Sequence, residues 1–269
     1  MKRGYGYTAW CGRLFHTLFS PKMATQGDDV PQLRDAFRTA LAGGGWASPD
    51  TLRHANSLAI ALWEAGDPAE AESILLGART NVNEDALAKT RRGRSALEDL
   101  AFALAYIDAV SEADTLYRRV IAFSTDVGDE IDSLWWSKWA SVKAKLERWD
   151  EAISLHRKAL DAAVRFDGAE SNAALVEHYF LAEALRHSGS ADEALAVAEA
   201  GLKTADETQA SLSRILSKAR ILALQDLGDA NALAEGVRDL RAAAESWPPK
   251  LQQEVHEWLG DSELGPYSE

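Results

Sequence analysis

Apolar residues along this chain fall at helical spacing in long runs. Each run is broken by a tight turn and followed by a second amphipathic run with a small residue near its start. The pattern occurs five times, most clearly in HANSLAIALWEAGDPAEAESILLGA, KLERWDEAISLHRKAL and LAEALRHSGSADEALAVAEAGL. Ala71, Ala113, Ala152 and Ala194 hold the small position, with Leu233 in a degenerate fifth copy, giving steps of 42, 39, 42 and 39 residues. A helical hairpin of this kind cannot bury its own apolar face, so its copies must stack on one another. The periodicity therefore predicts an all-α chain, a right-handed α-α superhelix (solenoid) of five helix-turn-helix repeats. With a lead-in and a terminal helix, twelve helices are expected.

The punctuation between runs places those helices. A lead-in helix is expected from Pro31 to about Ala42, capped by Asp28 or Asp29 and stopped by Gly43-Gly44-Gly45. The first repeat opens at Ser48-Pro49-Asp50 and turns at Gly66-Asp67-Pro68. The second begins at Asn83-Glu84-Asp85 with one long helix to about Ala109, bent at Gly93. The third spans about 130–166, the fourth 171–203 and the fifth 207–245, and Trp247-Pro248-Pro249 ends the array. Leu251, Val255, Trp258 and Leu259 share one face of a final helix that seals the last repeat. The expected organisation is a leader at 1–27, an array at 28–259 and a frayed tail at 260–269.

The repeat resembles the tetratricopeptide repeat family in a longer form of about 40 residues. That family wants a large residue, Leu, a small residue and a large residue in each first helix. Here the slots hold Ala55, Leu58, Ala59 and Leu62; Leu97, Leu100, Ala101 and Leu104; Trp136, Trp139, Ala140 and Lys143; and His178, Leu181, Ala182 and Leu185. The second helices offer Ala71, Leu75 and Ala78; Ala113, Tyr117 and Val120; Ala152, His156 and Ala159; and Ala194, Ala198 and Gly201. The helix-ending proline of the family is missing from every copy, and the fifth copy, with Ser217, Arg220 and Ile221, matches poorly enough to be a cap. The resemblance covers about 50–246 and implies a protein-interaction fold.

Charge and cysteine content narrow the partners. With 29 basic and 42 acidic residues, the net charge of −13 repels phosphate backbones, so nucleic acid is not expected as a partner. The single cysteine, Cys11, allows no internal disulfide and no cysteine metal cluster, which fits a reducing cytoplasm. The first 27 residues differ: Lys2, Arg3, Arg13 and Lys22 have no acidic residue before Asp28, and Trp10, Leu14 and Leu18 recur at one-turn spacing. Three readings stay open for them: a disordered or non-native leader with Met23 as an alternative start, a helix packed on the array, and a membrane-surface contact.

No enzyme signature is present. Gly43-Gly44-Gly45 has no lysine after it, the six histidines make no metal-binding pair at helical spacing, and Cys11 lacks a neighbouring base. No catalytic residue, metal site or cofactor is expected. His156 and His178 sit in packing slots and read as core histidines. Trp135, Trp136 and Trp139 could form an aromatic box, but the last two occupy packing slots, and Trp149 takes a loop position where the family usually has an aromatic.

What remains is the concave face made by successive first helices. The repeat register points there Asn56, Ile60 and Trp63; Phe102 and Tyr106; Lys138, Ser141 and Lys145; Tyr179, Glu183 and Arg186; and Lys218 and Leu222. Ile60, Trp63, Phe102 and Tyr106 read as exposed apolar groups that mark a binding patch if the N-terminal helix does not cover them, and Lys138 and Lys145 as a positive spot with no acidic slot-mate; the competing reading is a solvated face with scattered charges. Such a groove suits a peptide or partner helix with an apolar anchor and an acidic group. The function expected is a non-enzymatic protein-interaction scaffold. One alternative is the peptide- or ligand-sensing module of a bacterial regulatory system. The other is an enzyme on a helical solenoid, which would need Tyr179, Glu183 and His187 to converge in a pocket.

Overall fold

The structure, a computed structural model, describes residues 30–261. Cys11, Trp10, Leu14, Leu18, the proposed caps Asp28 and Asp29, and most of the expected tail lie outside the described residues. The chain divides into two compact units at the Glu147–Arg148 junction. Among the described residues both units are helical, with no strand.

The first unit holds α1 (Val30–Gly44), α2 (Pro49–Glu64), α3 (Pro68–Asn81), α4 (Glu84–Ala88), α5 (Arg91–Tyr106), α6 (Val110–Asp126) and α7 (Ser133–Lys145). The second holds α8 (Trp149–Asp167), α9 (Asn172–His187), α10 (Ala191–Thr204), α11 (Ala210–Leu227), α12 (Ala230–Ala244) and α13 (Pro249–Asp261). Successive helices pack in pairs: α2 with α3 and α5 with α6 in the first unit, α9 with α10 and α11 with α12 in the second.

The helices start where short polar side chains can satisfy their free N–H groups. Asp67, Asn83, Thr90, Asp132, Ser171 and Asp229 each accept a hydrogen bond from a backbone amide in the first turn that follows. Ser48 precedes α2 but makes no such side-chain bond, and Pro49 supplies the start instead.

The described helices number thirteen, not twelve, because the single long helix expected from Asn83 to Ala109 is two. Thr90 caps a new helix by accepting from the Gly93 amide at 3.0 Å. Buried Arg94 reaches back to donate to the Ala88 carbonyl, left free by the end of α4, and pairs with Asp129 through Nε at 2.9 Å. Gly93 is required rather than merely tolerated: a Cβ there would lie 2.0 Å from the Leu87 carbonyl oxygen.

The repeat period reappears in the backbone. Gly66, Asp108, Glu147, Gly189 and Gly228, one after the first helix of each repeat, all take positive φ, at 87°, 70°, 58°, 86° and 72°. Their spacing repeats the 42, 39, 42 and 39 steps of the small residues five positions later. A left-handed residue closes each hairpin whether or not glycine supplies it.

Packing follows the same register. Ala71, Ala113, Ala152 and Ala194 are fully buried, and so are Leu97, Leu100, Ala101 and Leu104. Full burial of one such leucine stabilises by about 1.5–3 kcal/mol. Lys143, in a slot meant for a large packing residue, is also buried, its ammonium 2.6 Å from Asp114 and 5.3 Å from the Trp139 ring centre. Trp139 donates its indole N–H to the same Asp114 at 2.7 Å. Trp136 and Trp139 stack on each other and stay half-buried.

In the second unit His156 is fully buried, with Nδ1 2.9 Å from Glu177 and its ring stacked on Phe180. His178 is half-buried, and that burial lowers its pKa. At the chain's end, Val255 and Leu259 of α13 join Ile221, Leu224 and Val237 in one apolar cluster, with Trp258 against it.

Candidate functional site

In the first unit the first helices α2 and α5 lie side by side, with α7 against α5. Their common face carries the residues singled out above, in more than one environment. Asn56 and Ile60 are buried, and neither polar atom of the Asn56 amide has a protein partner. Trp63, Phe102 and Tyr106 are half-buried, each packed against the apolar core. Phe102 and Tyr106 are one helical turn apart with ring centres at 6.2 Å. Tyr106 donates its hydroxyl to Glu64 of α2 at 2.8 Å, and burial together with that carboxylate raises its pKa.

Lys138 and Lys145 are not the unpaired positive spot that their register implies. Lys138 Nζ lies 3.1 Å from Oε1 and 3.2 Å from Oε2 of Glu98, and 4.7 Å from the centre of the Phe102 ring. Lys145 donates to the Ala105 carbonyl at 2.8 Å and to Asp108 at 3.3 Å. Both partners sit on or just after α5, so each lysine ties α7 to its neighbour. The physical reason is burial: a lysine whose ammonium is taken off the surface needs a carboxylate. Ser141, between them, is half-buried with an unpartnered hydroxyl.

Glu98 is the residue that sequence reasoning passes over. It lies one turn before Phe102 and 42 residues after Asn56, in the same repeat slot. That step was the available signal, but a carboxylate on a groove face ordinarily reads as solvated. Here it is buried, accepts from Tyr117 Oη at 3.1 Å, and has its carboxyl pushed up to about 7 by burial, with Lys138 opposing. Adjacent Asp99 is raised by burial too, opposed by Lys138 and by Arg53 of α2.

In the second unit the corresponding face belongs to α9 and α11. Tyr179 and Glu183 are buried rather than open. Glu183 accepts from Arg186 at 3.2 Å, and Arg186 also pairs with Asp226 at 2.9 Å. Lys218 lies 5.0 Å from the Trp258 ring centre. Burial lowers its pKa, Glu183 opposes and Arg214 and Arg186 reinforce that shift. Leu222 is half-buried. His187 stacks face to face on Trp149 at 4.6 Å, while Glu183 is engaged with Arg186.

Among the described residues no three His, Cys, Asp or Glu side chains are placed to hold a metal ion, and no helix is long and apolar enough to cross a membrane.

Comparison with known proteins agrees with this architecture. Residues 131–207, which contain α7 to α10, match the family model of the tetratricopeptide repeat. No curated protein sequence matches the chain. Among solved structures, BtubC (BKLC) from P. vanneervenii is similar at 18% identity and a TM-score of 0.62, over 82% of this chain and 92% of that one. A kinesin light chain from Podosopora anserina with nearly identical TPR-like repeats is similar at 20% identity and a TM-score of 0.60, over 73% and 96%. A substituted form of the latter has a TM-score of 0.59, again at 20% identity, over 72% and 95%. At these identities the likeness is one of fold.

Proposed function

We propose that this chain, which carries tetratricopeptide repeats in their long form, is a protein-interaction scaffold whose first-helix faces receive a peptide or a partner helix. Such repeats are generally protein-interaction scaffolds, and the reading rests on one observation. Three aromatic side chains, Trp63, Phe102 and Tyr106, are packed on the core along adjacent helices α2 and α5 without being fully covered. Large rigid rings seated on a packed core lose little freedom on binding, which is why such groups dominate interfaces.

An apolar anchor on the partner would meet these rings. An acidic group on the partner would compete with Glu98 and Asp108 for Lys138 and Lys145. In the first unit the buried Asn56 and Ile60 support this face from beneath; in the second unit, taken by itself, Tyr179 and Glu183 are buried under a face that carries Arg186, Lys218 and Leu222. The scaffold needs no cofactor for this role.

The test is to capture partners with the full chain and titrate the strongest by calorimetry. Trp63→Ala or Tyr106→Ala should weaken binding by about 2 kcal/mol, roughly thirtyfold, with unchanged circular dichroism. Full affinity in both variants would move the site off this face.

A further inference from the structure

The side-chain cluster around Glu98 does something the aromatic row does not require. Glu98 sits on α5 at 2% exposure. Its Oε1 accepts from Tyr117 of α6 at 3.1 Å, and both its oxygens lie 3.1–3.2 Å from Lys138 Nζ of α7, whose side chain is 11% exposed. The remaining charged groups are Asp99 on the same helix, which opposes ionisation of Glu98 and also attracts Lys138, and Arg53 on α2, which acts on Asp99. One carboxylate thus depends on one cation, with a phenol as its second donor.

Such a pair has two states. While the carboxylate is ionised, the ammonium gains more from it than from partial solvation at the edge of the seam. Once the carboxyl is neutral, the ammonium loses its hydrogen-bonded counter-ion and keeps only the attraction of Asp99 and the face of the Phe102 ring 4.7 Å away, a poorer balance for a charge held off the surface. Lysine has a remedy that a shorter cation lacks: its flexible stem can carry the charge out to water while the methylenes stay in place.

We propose that Glu98 is a proton-operated latch on Lys138, holding the ammonium in the seam between α5 and α7 when ionised and releasing it onto the first-helix face when protonated. The step consumes one proton and no other reactant. In the released state the face presents a free cation beside Phe102 and Tyr106, and in the latched state it presents none. The latch works near neutral pH because burial holds the Glu98 carboxyl at about 7. Its sign follows from the direction of that shift: between the ordinary value of 4.5 and about 7 the folded chain keeps a proton that the unfolded chain has lost. This group's contribution to stability is therefore full below that window and falls as pH rises through it.

The latch belongs to the free protein and can be tested without a partner. The full chain, labelled with carbon-13 in glutamate and lysine side chains, is titrated by NMR from pH 5 to 9, with Glu98→Gln and Lys138→Met for assignment. The Glu98 carboxyl should titrate near 7, and the Lys138 Cε signal should move with the same midpoint. In Glu98→Gln the Lys138 signal should hold its low-pH position throughout, and acetylation of Lys138 at pH 8 should rise from slow to the rate of exposed Lys203. A Glu98 midpoint at the ordinary value of 4.5 would overturn the latch, and so would a Lys138 signal that ignores the Glu98 titration. Should Glu98→Gln fail to fold, the two wild-type midpoints decide the matter alone.

Discussion

At the scale of single residues, the hairpin turns separate what the backbone demands from what the sequence supplies. Three of the five turns use glycine in the left-handed conformation, and two use Asp108 and Glu147. A side chain there brings Cβ against the following carbonyl, at about 1–2 kcal/mol per residue. Asp108 has an offset, because its carboxylate pairs with Lys145, whereas Glu147 is exposed and its backbone amide donates to the Ala144 carbonyl at 3.0 Å. Glu147→Gly should therefore stabilise the chain by about 1 kcal/mol, raising the melting temperature by roughly 2–4 °C in calorimetry. No change, or a loss, would show that the turn is not strained. Glu98 teaches the complementary lesson about legibility. Its slot is readable from the repeat step, but its partner Lys138 lies 40 residues away on another helix. A list of slots does not say that a carboxylate there will be covered, and so two lysines that look unpaired in sequence are in fact engaged.

At the scale of elements, most helices were legible for two reasons. Their apolar stripes have the helical period, and their starts carry Asp, Asn, Ser or Thr. The α4–α5 break was not, because Gly93 within Arg91-Arg92-Gly93-Arg94 reads as a soft point in one helix. What makes it a break is tertiary: Thr90 caps α5 and Arg94 closes α4, while the backbone of Leu87 comes so close to Gly93 that no Cβ fits. Gly93→Ala should therefore destabilise by about 1–3 kcal/mol despite alanine's better helix propensity, because overpacking against backbone is hard to relieve. Thermal unfolding of the variant decides it; unchanged stability would mean the two segments can separate freely. Lys143 marks the same limit in the third repeat. Its slot reads as one for packing, but the buried Asp114 that neutralises it lies on the preceding second helix, 29 positions earlier.

At the scale of the whole molecule, the fold class was the most legible property, since a period of about 40 residues leaves few ways to bury five equivalent apolar faces. The partner was the least legible, because the face that would receive it is defined by side chains whose partners come from neighbouring repeats. Those neighbours have a further effect. Side-chain bonds span 36 residues between Arg34 of the lead-in helix and Glu70 of the first repeat, and from one repeat to the next 42 between Glu64 and Tyr106, 40 between Glu98 and Lys138, and 39 between Glu170 and Gln209. None of these closes a loop longer than one repeat, so the chain-closure entropy lost before each contact forms is nearly the same along the molecule and grows only logarithmically with loop size. Such local connectivity places the refolding rate in the microsecond-to-millisecond range of helical proteins rather than the slow range of sheets. In stopped-flow refolding the main phase should finish within milliseconds, followed only by minor phases with the tens-of-seconds time constant of proline isomerisation. A dominant phase of seconds would mean that distant parts of the chain must meet before any of it is stable. If the fast phase is seen, successive repeats can be added to a growing chain during synthesis, each finding its support in the one just made.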